Sequence, residues 1–103
     1  MGDPLNDIDI LDFIALRPHC EVEGRKCTRK TEQRHHGLFR RSKRFPELNV
    51  LINYQATCAN CHTGTGEADA YENKVRFYEM QKERYGDLVD EWIDGLPMKD
   101  KRL

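Results

Sequence analysis

The chain has 103 residues, 38% hydrophobic and 34% charged, which allows one domain with a small core. No run approaches the roughly 18 apolar residues of a membrane span, and the acidic start MGDPLNDIDILDF lacks the basic region of a signal peptide. The expectation is therefore a soluble, cytoplasmic protein with no membrane partner.

The net charge of −1 conceals a segregation. Residues 18–49 carry nine bases against four acids, while residues 1–17 and 67–103 are each acidic by a net of three. A positive middle between acidic ends is the footprint of a polyanion partner, or else a solvated loop rich in Arg and Lys.

In chain order, DIDILDFIALRPHC places apolar side chains at Ile10, Leu11 and Ile14, with Phe13 and Leu16 less regular. This predicts a short amphipathic helix with Asp7 or Asp9 near its start, stopped by Pro18 at about Arg17. Residues 20–33 read as a polar turn region on Cys20 and Cys27, with Gly24 supplying the turn. TEQRHHGLF reads as a short strand ending near the paired His35 and His36, with Gly37 allowing a turn. RRSKRFPEL is a basic loop punctuated by Pro46, and NVLINYQATC, with β-branched and aromatic residues, reads as the returning strand. CANCH turns the chain, and TGTGEAD is a Gly/Thr loop or helix start. The last third is helical. Tyr71, Val75, Tyr78, Tyr85, Leu88, Val89 and Trp92 form an apolar stripe whose plain meaning is core packing. Gly86-Asp87 is placed to end one helix and cap the next, and GLPMKDKRL to form a packed turn and a frayed tail.

Four cysteines in a chain expected inside the cell point to metal rather than disulfides. Cys58 and Cys61 have the Cys-x-x-Cys spacing of half a tetrahedral zinc site, and Cys20 and Cys27 form a looser second half. The alternatives are a Cys58–Cys61 redox pair or unmetallated buried thiols. The hairpin can also gather His35, His36 and His62 among basic residues that attract a phosphodiester. Hydrolysis of that bond needs an attacking water, a group to take its proton, and positive charge. Histidine titrates near neutrality and suits the proton role; a divalent metal suits the charge role. Adjacent residues on a strand point to opposite faces, so the two histidines converge only if the strand end is distorted.

The ordered set Cys20, Cys27, His35-His36, Asn53 and Cys58-Ala-Asn-Cys61-His62 resembles the HNH endonuclease family, the ββα-metal nucleases, in its small phage-type branch with a four-cysteine zinc frame. The resemblance covers roughly residues 10–98. It implies an α+β fold: a small zinc-stapled ββα-metal core, a β-hairpin plus helix, with an N-terminal helix and a helical C-terminal third. Residues 1–103 would be one nuclease domain, divided into an N-terminal helix segment (1–17), the zinc and ββα-metal core (18–69) and a helical region (70–98).

The activity so implied is metal-dependent DNA hydrolysis. His36 would be the general base, and His35 and His62 would bind the catalytic ion, Mg²⁺ or Mn²⁺, with Ni²⁺ or Zn²⁺ also accepted. Asn53 would tie down the hairpin loop and so orient His36; Asn49 is a competing candidate that fits the spacing less well. Cys20, Cys27, Cys58 and Cys61 would hold structural Zn²⁺. Arg34, Arg40, Arg41, Lys43 and Arg44 would contact DNA. His62 as a fourth zinc ligand remains an alternative, and His19 reads as a surface or turn residue.

The chain departs from the family at Gly66, where many members carry a further histidine. Asn60, Glu67, Asp69 or water would have to fill that place. The Cys20–Cys27 gap is also longer than the commonest version. Two other readings stay open: a non-catalytic zinc-stapled DNA-binding module, and a zinc-stabilised adaptor that docks through the helical stripe. Analogy gives a phage or bacterial-host setting. A homodimer or a phage packaging or recombination protein would supply the specificity that so small a surface lacks.

Overall fold

Strand β1 (Gln33–His36) pairs antiparallel with β2 (Tyr54–Thr57) in a computed structural model that describes residues 2–102. The register sets His35 opposite Gln55 and His36 opposite Tyr54. Both strands are shorter than their sequence patterns suggest. Beyond His36 the Gly37 N–H still donates to the Asn53 carbonyl, but the N–H groups of Leu38 and Phe39 turn to the Asn53 side chain. On the other limb Leu51–Asn53 forms a 3₁₀ turn instead of strand. The N–H groups of Leu51 and Ile52 donate to the carbonyls of Asn6 and Pro4, so the N-terminal segment takes the bonds that a strand partner would have taken.

Helix α1 (Ile10–Leu16) begins at Asp9, whose carboxylate accepts from the Asp12 N–H at 2.9 Å, and ends at Arg17 ahead of Pro18. Its anchor is the fully buried Phe13, not the Ile10, Leu11, Ile14 stripe; Leu11 is 76% exposed. Phe13 packs edge-on against Tyr54 of β2 at 6.0 Å and shares a small cluster with Leu51 and Ala56. Between α1 and β1 the loop turns through left-handed backbone at Glu23 and Arg29, with φ of 56° and 68°. Gly24, the expected turn residue, does not adopt a positive φ. It lies instead where a Cβ would collide with the Glu67 carboxylate.

Helices α2 (Tyr71–Tyr85) and α3 (Leu88–Asp94) are divided at Gly86, which has φ +59°. Asp87 sits at the N-cap of α3 without making a capping bond and lies 3.7 Å from Lys82. The buried face of α2 differs from the expected stripe: Tyr71 is 65% exposed, and the residues buried are Asn73, Phe77 and Gln81. Two of these three are amides because α2 lies over polar backbone and the buried Gln55 amide. Gln81 donates to the Ile52 carbonyl at 2.7 Å, and Asn73 exchanges hydrogen bonds with Gln55 at 2.8 and 3.1 Å. A hydropathy stripe cannot register such a face.

Phe77 joins Leu38, Phe39, Leu48, Ile52, Val89 and Leu96 in the main core. A Cβ on Gly37 would lie 2.5 Å from the Phe77 ring, so Gly37 serves close packing beside the hairpin rather than a left-handed turn. The result is a mixed α/β unit with a two-stranded sheet, helices on either side in sequence, and a separate cluster of four cysteines. Among the described residues no helix is long and apolar enough to cross a membrane.

Two ligand clusters and a basic cleft

The sulfur atoms of Cys20, Cys27, Cys58 and Cys61 lie within 4.8 Å of one another, close enough to share one metal ion such as zinc. Three of the thiols are buried, Cys27 is half-buried, and all four are free. The wide Cys20–Cys27 gap is spanned by the turns at Glu23 and Arg29, and the Arg29 N–H donates to the Cys27 sulfur at 3.2 Å. Burial pushes the Cys61 and Cys27 thiols up. Burial also opposes ionisation of Cys58, but hydrogen bonds from the Thr28 and Cys61 N–H groups outweigh it and bring that thiol down to about 6. One thiol is thus poised as the thiolate that a soft cation requires.

The chain leaves Cys61 and at the next residue enters a second cluster. One ring nitrogen each from His35 and His62 and a carboxylate oxygen of Asp69 also lie within 4.8 Å of one another. The two imidazoles stand 4.7 Å apart between centroids. His62 belongs to a π-helical turn, Asn60–Gly64, and its Nδ1 lies 2.5 Å from the Gln33 amide oxygen, an acceptor. Nδ1 therefore carries the hydrogen, and Nε2 is left for another partner. His35 is only 7% exposed. Burial, followed by the nearby His62, lowers it to about 4, so His35 is neutral across the physiological range.

Asp69 reaches this cluster because of Gly66. That residue takes a left-handed conformation, φ +74°, and ends the turn that carries His62. A histidine there would bear a strained backbone. The chain instead folds into a 3₁₀ turn, Glu67–Asp69, whose last residue comes back to the two imidazoles. The other candidates for this place are engaged elsewhere. The Asn60 amide donates to the Lys26 carbonyl, and Glu67 pairs with Arg25.

His36 lies at the end of β1 and faces the same cleft, of about 570 Å³, as His35 and His62. Its Nε2 is 2.8 Å from Asn49 Oδ1, and its ring meets Tyr54 edge-on at 5.2 Å. Burial, together with the positive charges of Arg41 and Arg34, holds His36 below the ordinary imidazole value, against the raising effect of the Asn49 bond. Asn53 is fully buried. Its oxygen accepts from the Leu38 and Phe39 N–H groups, and its amide donates to the Phe39 and Leu48 carbonyls, all between 2.9 and 3.0 Å. It thus clamps both limbs of the loop between β1 and β2.

Arg34, Arg40 and Arg41 line the cleft with the histidines. Lys43 and Arg44 do not; the Arg44 guanidinium packs over Phe45. Arg34 stacks on Tyr54 at 5.4 Å and lies 3.7 Å from Asp7, which also accepts from the Tyr54 hydroxyl at 2.6 Å. The isolated bridge of His19 with Lys30 keeps that histidine in the turn region. Sequence reasoning missed Gln33, Tyr54 and Asp7. Gln33 had a legible signal: it lies two residues before His35 and shares its strand face. Neither protein-family models, nor curated proteins, nor solved structures give a match to this chain.

Proposed function

We propose that this protein is a metal-dependent DNA endonuclease that hydrolyses phosphodiester bonds through an HNH-type ββα-metal core, with structural zinc on its four cysteines. The observation that carries the reading is the convergence of His35, His62 and Asp69 with His36 in one open cleft lined by Arg34, Arg40 and Arg41. Two imidazoles and one carboxylate fit Mn²⁺, Ni²⁺ or Zn²⁺, while Mg²⁺ draws mainly on the carboxylate. When bound, the ion supplies positive charge to the phosphate and its leaving oxygen.

The chain's own groups do the rest. His36, neutral and half-buried, takes a proton from the attacking water at its free ring nitrogen. Arg34, Arg40 and Arg41 hold the phosphate backbone and offset its charge. Gln33 fixes the ring of His62, and the Asn53 clamp keeps the loop beside His36 in place. The two adjacent histidines then have separate duties: His35 binds the ion and His36 prepares the nucleophile.

The test is supercoiled plasmid incubated with zinc-loaded protein in the presence of Mn²⁺, Mg²⁺, Ni²⁺ or no added metal. Nicked circles formed only with added divalent metal are expected. Intact plasmid under every metal, with salt-dependent DNA binding retained, would instead make the protein a non-catalytic zinc-stapled binding module.

A further inference from the structure

We propose that Asn49 is a positioning residue: its side-chain oxygen holds the neutral His36 ring as the Nε2–H tautomer, so that Nδ1 is the nitrogen that receives the proton from water. This rests on the nuclease reading and goes beyond it, because the nitrogen that acts as base is set by a residue outside the His-Asn-His pattern.

The contact is specific in sense. An amide oxygen only accepts, so the ring nitrogen 2.8 Å from Asn49 Oδ1 must bear the hydrogen. Among the described residues Nδ1 has no hydrogen-bond partner. The ring is also confined on another side by the perpendicular Tyr54, at 5.2 Å.

Asn49 is itself held by the loop clamp. It closes the short 3₁₀ turn Pro46–Leu48, and its backbone N–H donates to the Pro46 carbonyl at 3.0 Å. The preceding residue, buried Leu48, gives its carbonyl to the Asn53 amide at 3.0 Å. Positional control therefore runs from Asn53 through the Leu48 carbonyl to Asn49, and from Asn49 to the imidazole. Asn53 acts on His36 at one remove.

The experiment combines long-range ¹H–¹⁵N spectra of the imidazoles with single-turnover cleavage, both on zinc-loaded full-length protein at alkaline pH. The His36 signals are assigned by their loss in His36→Gln. Wild type should show His36 with hydrogen on Nε2. Asn49→Leu, which has no acceptor, should lose that preference and cleave on the order of 10²-fold more slowly, with its DNA affinity unchanged. Asn49→Asp keeps an accepting oxygen and should retain both the tautomer and most of the rate. Hydrogen on Nδ1 in the wild type, or an unaltered tautomer or rate in Asn49→Leu, would overturn the assignment. Failure of the nuclease reading looks different: wild type would not cleave with any metal, the catalytic role of Asn49 would fall with it, and the spectra alone would still report the tautomer.

Discussion

The two ligand clusters are one peptide bond apart, at Cys61 and His62, yet they differ in every property that decides what a metal does. In the thiol cluster three of the four sulfur-bearing residues are buried, and four thiols are the number that a tetrahedral metal site takes. In the histidine cluster burial declines from His35 through His62 to the exposed Asp69, and the set borders an open cleft. A closed set of four soft ligands stabilises a fold; an open set of three leaves positions for water and phosphate. In the proposed reading, enclosure, as much as ligand type, is what would separate the staple from the reaction centre.

The contrast can be broken from either side. The largest effect is expected at the staple. Removing zinc with a chelator, or Cys58→Ser, should cost on the order of 10 kcal/mol of folding free energy and abolish the cooperative thermal transition seen by circular dichroism. His62→Ala should do the opposite: zinc content and melting temperature persist, and metal-dependent nicking disappears. Loss of zinc in His62→Ala would merge the two clusters into one.

Within the open site, His36→Ala should slow cleavage by on the order of 10² to 10⁴-fold at saturating metal. The pH profile sharpens this. Burial and the nearby Arg41 and Arg34 charges hold His36 below the ordinary imidazole value of 6.5, so the neutral form predominates at pH 6.5. The rate should decline in acid solution with its midpoint below pH 6.5. A midpoint at or above 6.5 in the rate profile would contradict the buried environment. Next in size, Gln33→Ala should weaken divalent-ion binding by about 10 to 100-fold, as loss of a ligand-orienting partner does. Isothermal titration of Mn²⁺ into zinc-loaded protein measures it. The smallest effect belongs to the cleft wall. Neutralising Arg41 should lower the slope of log affinity against log salt by about 1, and neutralising Lys43, outside the cleft, should change it less.

Cap and stop signals located α1 and the α2–α3 break from sequence, because Asp9, Pro18 and Gly86 act locally. The four thiols were legible as a set for a similar reason: few other roles bring cysteines together in such a chain. Burial was less legible. Phe13 and Phe77 anchor their helices although neither led its stripe; around Phe77 the face of α2 is completed by amides bonded to polar groups beneath it, and Phe13 is buried by Leu51, Tyr54 and Ala56 from distant segments. The strands were overextended because the bonds that shorten β2 come from Pro4 and Asn6, far away in sequence. Asp69 stood as one of several substitutes at the Gly66 departure; only the left-handed backbone there singles it out. Asn49 was weighed against Asn53 for one role, and in the fold the two amides occupy different positions, one in the clamp and one on the ring.

Cys61 and His62 are consecutive on the same π-helical turn, and this leaves the chain no slack between its two clusters. One residue inserted after Cys61 would preserve all seven ligand side chains and still put thiol and imidazole out of phase, so that one cluster forms only by dismantling the other. Length variation in a lineage carrying this arrangement should therefore collect in the Cys20–Cys27 loop and the arginine-rich loop, and stop at this junction.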